Sequence, residues 1–100
     1  MTTLTKKQIN WLDECSKDRW TLNPNTGLVD VCAGFDCGNQ RLKGFKGVKF
    51  GKVEDNFRCA NNSLTSLEGA PQSVGGGFNC VGNRLISLVG APQKVGESFN

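Results

Sequence analysis

The sequence predicts a short α+β solenoid, a parallel β-sheet of stacked coils behind an N-terminal helix-hairpin cap, and three observations predict it. Phe35, Phe57, Phe78 and Phe99 recur at spacings of 22, 21 and 21 residues, each four positions after a valine: Val31, Val53, Val74 and Val95. Three of these units continue as Phe-x-Cys, giving Cys37, Cys59 and Cys80. Two of them, Phe57–Gly75 and Phe78–Gly96, run on in near-identical text. A period of roughly 20 to 30 residues marks an array in which each repeat forms one coil and neighbours bury each other's apolar faces.

Residues 1–30 do not repeat and are expected to form the cap; residues 31–100 hold three coils and the start of a fourth. Thr5-Lys6-Lys7-Gln8 reads as a capping box opening a helix from about Lys6 to Lys17. Ile9, Leu12 and Cys15 would share its apolar face, flanked by Trp11. Trp20-Thr21-Leu22 and Leu28-Val29-Asp30-Val31 are strand-like, and Asn23-Pro24-Asn25-Thr26-Gly27 between them is a turn signal. A terminal coil has no neighbour, so Trp11 or Trp20 is expected to cover the first one. The alternative, a helix that docks a partner, ranks below this.

From Val31 the coils begin. In Phe57-x-Cys59-x-x-Asn62-x-Leu64 and Phe78-x-Cys80-x-x-Asn83-x-Leu85, Phe and Cys alternate inward on a short strand. The asparagine stands where the chain leaves the strand, and its amide can bond backbone groups of the turn and form a ladder. Leu64, Leu67, Leu85 and Leu88 are expected to fill the core, with Pro71 and Pro92 on an extended, polyproline-like return leg. These phrases resemble the strand-and-turn segment of leucine-rich repeats, L-x-L-x-x-N-x-L. With Gly69-Ala70-Pro71 and Gly90-Ala91-Pro92 they are similar to the variety found in small bacterial and bacteriophage proteins. The resemblance implies a short leucine-rich-repeat solenoid that binds a protein partner through the strand face.

The first coil departs from the pattern. It is one residue longer, has Gln40 where asparagine is expected, carries Phe45 and Val48 in place of Leu and Ala, and lacks the proline. The last unit, Val95–Asn100, supplies one strand. Its end is expected to expose a strand edge and part of the Phe99 layer, which favours self-association or continuation of the array.

Composition removes most chemistry. There is no histidine and no tyrosine, which excludes Ser-His triads, Cys-His nucleophiles and histidine metal ligands. Gly75-Gly76-Gly77 opens no helix and has no Gly-Lys-Ser/Thr, so it is not a phosphate loop. Cys37, Cys59 and Cys80 in register read as buried reduced thiols, stacked about 5 Å apart like paired strands. Cys15 and Cys32 read as free or cap thiols, and Cys32 and Cys37, the nearest approach to a metal pair, have no second pair or histidine to complete a site. No catalytic residue, metal or cofactor is expected. An odd cysteine count, five, with no secretory segment or apolar membrane span, points to the cytoplasm.

Two surfaces remain as candidate sites. Asp36, Arg58 and Asn79 project from the strand face, with Gly38, Ala60 and Val81 two residues further on, and form the expected site for a protein partner. The mixed row names no partner. Arg41, Lys43, Lys46, Lys49 and Lys52, continuing to Arg58, form a basic edge that ranks second, as a nucleic-acid contact. The excess of 12 Lys and Arg over 9 acids, a net charge of +3, gives only a weak field. The expected function is therefore non-catalytic protein recognition, by a small phage or bacterial protein that modulates a host protein. A module that assembles through Phe99 is the third reading.

Overall fold

The computed structural model describes residues 4–100, which form one helix and eight short strands in an α+β arrangement rich in parallel pairing. Helix α1 spans Lys6–Ser16. Its N-terminus is held reciprocally: the Gln8 amide donates to Thr5 Oγ1 (3.2 Å) and the Thr5 amide to Gln8 Oε1 (2.8 Å). It stops at Lys17, which turns into the left-handed region (φ 56°). The buried face is Trp11, Leu12, Cys15 and Ser16, which corrects the expected set: Ile9 is 37% exposed. The stripe runs around the helix from Trp11 through Cys15 and Leu12 to Ser16, leaving Ile9 just beyond its edge.

Strands β1 (Trp20–Leu22) and β2 (Val29–Val31) form the expected antiparallel hairpin, Trp20 opposite Val31. In its turn the Asn25 amide donates to Asn23 Oδ1 (2.9 Å) and Gly27 takes a positive φ. Beyond it each unit contributes strands to two sheets. β3 (Phe35–Asp36), β5 (Phe57–Arg58) and β7 (Phe78–Asn79) form a parallel three-stranded sheet, which Phe99 extends by a bridge to Phe78. β4 (Phe50–Val53), β6 (Ser73–Val74) and β8 (Lys94–Val95) run parallel to β2 in a five-stranded sheet of order β1-β2-β4-β6-β8. The polyproline-like return leg is thus corrected: its last residues are strands. Val31, Val53, Val74 and Val95 pair in register there, and the inward-facing β-branched side chains favour the pleated surface. Pro71 and Pro92 fall just before β6 and β8, where no ladder donor is needed.

The extra residue of the first unit is absorbed locally. Val29 pairs with Phe50 but Val31 with Val53, so a bulge in β4 restores register for all later strands. At the N-terminal side β1 is the edge strand of the five-stranded sheet, antiparallel to β2, and α1 packs against β3, the edge of the other. Trp11, rather than Trp20, covers the first unit, its ring edge-on to Phe35 at 5.3 Å.

The core is a column. Phe35, Phe57, Phe78 and Phe99 stack with centroids 5.3, 5.5 and 5.0 Å apart. Phe45 and Phe50 meet Phe57 edge-on, and Cys37 and Cys59 are fully buried beside it. Leu64 and Leu67 are fully buried as expected. Their counterparts are not: Leu85 is half-buried and Leu88 is 60% exposed. No described unit stacks on theirs, so the layer that covers Leu64 and Leu67 has no equivalent.

Asparagine joins the units. Asn62, 7% exposed, accepts at Oδ1 from the amides of Gln40 and Leu42 and donates from Nδ2 to the carbonyls of Cys37, Cys59 and Ala60. Asn83 repeats this one unit on, accepting from Leu64 and donating to Cys59 and Cys80. Gln40 begins the series differently. Its Oε1 accepts from Trp11 Nε1 (2.8 Å), tying the first unit to α1.

Glycine is required where stacked units touch at the corner between the sheets. A Cβ on Gly75 would collide with the Glu54 carbonyl, and one on Gly96 with the carbonyl of Gly75. Two predictions follow from this packing. Asn62→Ala strands backbone groups of two units and lowers unfolding free energy by about 3 kcal/mol, with a smaller loss for the less buried Asn83→Ala. Gly75→Val costs about 1–3 kcal/mol, whereas Gly44→Ala, with open space around its Cβ, leaves the urea midpoint unchanged.

Candidate functional site

The outer face of the three-stranded sheet follows from strand alternation: Phe35, Phe57 and Phe78 point into the column, so Asp36, Arg58 and Asn79 point out. Pairing sets these three side by side, Asp36 against Arg58 and Arg58 against Asn79. The outer two are partly occupied by their own chain. Asp36 Oδ1 accepts from the Gly38 amide and Asn79 Oδ1 from the Val81 amide, each at 3.0 Å. Arg58 stands exposed between them. Gly38 and Ala60 are half-buried in the next row, and Val81 is 55% exposed.

A hollow of about 560 Å³ opens where this face meets the end of α1. Asp36 and Arg58 line it together with Lys17, Arg19, Asp55 and Asn56, over Cys15 and Phe35. The left-handed turn at Lys17 and Asp18 carries the chain off the helix, and the Arg19 carbonyl accepts from the Cys32 amide (2.8 Å), which fixes it against β2. Asn56 Oδ1 accepts from the Gly77 amide (2.7 Å), holding the corner between β4 and β5. A second hollow, about 230 Å³, lies on the other side of Arg58 and is bordered by Asn79, Ser98 and Asn100. Arg58 and Asn56 belong to both. Lys17, Arg19, Asp55 and Asn56 carry no sequence signal for this site. They lie in non-repeating turns and reach the face only through tertiary packing.

The residues of the basic edge fall in turns and in both sheets. Arg41 sits in the turn after β3, in the left-handed region. Lys43 and Lys49 border a separate shallow hollow. The Lys46 carbonyl accepts from Gln8 Nε2 (2.7 Å), and its ammonium lies 6.0 Å from the Trp11 ring. Lys52 is on β4, in the other sheet, its amide donating to Asp30 Oδ1 (2.9 Å). Arg58 alone of this run reaches the three-stranded face.

All five cysteines are free thiols. Burial pushes the Cys37 and Cys59 thiols up, that of Cys59 to about 12, and adjacent thiols in the stack push in the same direction. Burial also raises Cys15, partly opposed by the hydrogen bond from Gln40. Such thiols are poor nucleophiles. Among the described residues no three His, Cys, Asp or Glu side chains gather as a metal site, and no helix is long and apolar enough to cross a membrane. Comparison with family models, with curated proteins and with solved structures finds no match in any of the three.

One consequence is direct. Under native conditions at mildly alkaline pH a chromogenic disulfide reagent titrates the exposed Cys32 in a fast phase that Cys32→Ser removes, while Cys37 and Cys59 react only on unfolding.

Proposed function

We propose that this chain is a short leucine-rich-repeat solenoid that acts, without catalysis, as a protein-recognition module. The residue-by-residue resemblance supports the fold reading, as do the in-register parallel strands and the asparagine bonds that join one unit to the next. The observation that carries the functional reading is the row Asp36–Arg58–Asn79. It faces solvent on a hydrogen-bonded sheet, with a hollow on either side. A surface held by sheet pairing is preformed, so a partner would bind without the cost of ordering it. Likeness to the repeats of small bacterial and bacteriophage proteins makes a bacterial host protein the partner to seek. The nucleic-acid reading ranks second, because Lys52 lies in the other sheet from Arg58 and Asp36 and Asp55 stand beside Arg58.

Self-association has one observation in its favour. Ile86 (86% exposed), Val89 (67%), Leu88 (60%) and Phe99 (41%) leave the last described unit apolar on its outside. Since α1 and β1 cover the opposite end, copies meeting there would stop at a dimer. Affinity capture from bacterial lysate, with the wild-type chain and with Asp36→Ala, Arg58→Ala and Asn79→Ala combined, tests the main reading. A partner held by the first and lost by the second is expected; equal retention of every partner defeats the assignment of this face. Sedimentation over a range of concentrations tests self-association, and a strict monomer rejects it.

A further inference from the structure

The charge around Arg58 carries the recognition reading one step further. Lys17, Arg19 and Arg58 line the larger hollow, against Asp36 and Asp55. Among the described residues none of the three cationic groups has a hydrogen-bond or ion-pair partner within the protein, whereas Asp36 Oδ1 is already taken by the Gly38 amide. Arg58 is central, shared by the hollow at α1 and the one at Asn79. A guanidinium with a free donor fork matches a carboxylate in two-pronged geometry and holds it more strongly than a neutral acceptor. Three cations against two carboxylates leave the lining one positive charge in excess, which matches a single acidic side chain better than a run of phosphates. The hollow's volume of about 560 Å³ suits a short stretch of chain, whereas the smaller hollow beside Arg58 also carries Glu97, so the acidic contact is placed in the larger one.

We propose that the face binds an acidic protein segment, with an Asp or Glu side chain of the partner paired to Arg58 and its neighbours near Lys17 and Arg19. This rests on the reading of the face as a protein-recognition surface, and charge complementarity names the class of partner.

Selection of displayed random linear peptides on the full chain tests it. Acidic peptides are expected, losing about tenfold in affinity on Arg58→Gln and a smaller factor on Lys17→Gln. Their binding should weaken as salt is raised and stay unchanged on Lys43→Gln. Arg58 is exposed, so a melting curve matching the wild type confirms that its replacement folds. Neutral or basic peptides that still depend on Arg58 and Asn79 would overturn the acidic chemistry and leave the face reading intact. Peptides that bind the combined Asp36, Arg58 and Asn79 variant equally well would overturn both. Failure to select any peptide would overturn the proposal of a linear acidic segment.

Discussion

The carboxamide of Asn62 touches two units at once, and the rest of the molecule depends on that bond set. Its oxygen takes amides from Gln40 and Leu42 in one unit, and its nitrogen gives to Cys37 in that unit and to Cys59 in its own. The Leu42 amide and the Cys37 and Cys59 carbonyls are bonded in buried positions, so a partner within the protein must be supplied. Because one side chain supplies it across the junction, adjacent units cannot slide by a residue without stranding several groups. Register then follows for everything else. The phenylalanines stack at 5.0–5.5 Å, the valines pair in the second sheet, and the cysteines pile into a dry column.

Fixed register makes the inside uniform and leaves the outside free. Each inward position repeats the same chemistry, while the outward positions Asp36, Arg58 and Asn79 differ in charge although they are direct neighbours. The same regularity explains the glycines at the corner. Gly75 and Gly96 meet the backbone of the preceding unit directly, so a Cβ there would collide with a carbonyl. Burial also depends on position along the stack. Identical leucines are sealed in one unit and exposed in the next, because burial belongs to the neighbour rather than to the residue.

The face acquires its charge from outside the repeat. Arg58 is a repeat position, but Lys17 and Arg19 come from the chain leaving α1, and Asp55 and Asn56 from the corner before β5. Helix α1 lies against β3 because Trp11 fills the space beside Phe35 and Gln40 accepts its indole N–H. The element that shields the first unit therefore also places two of the three cations beside Arg58.

What the sequence determined by itself is the local and periodic part: the capping box at Thr5 and Gln8, the hairpin, the inward Phe and Cys, the outward Asp36, Arg58 and Asn79, and the role of Asn62. The first two are set by contacts within a few residues and the others by contacts within one period or between equivalent positions, so short motifs and a pattern of spacings suffice to find them. Ile9 was misplaced because the buried stripe reaches round to Trp11 on its other side, leaving Ile9 just past its edge. Leu88 was misplaced because spacing cannot count neighbours. The second sheet was missed because two-residue strands beside proline and glycine lack a periodic signal of their own, and only pairing with the adjacent unit makes them strands. Tertiary structure alone decided that Lys17, Arg19, Asp55 and Asn56 surround Arg58 and that the lysines of 43–52 do not. These residues are brought together, or kept apart, by turns whose direction depends on packing between distant parts of the chain, and no local regularity of sequence encodes that.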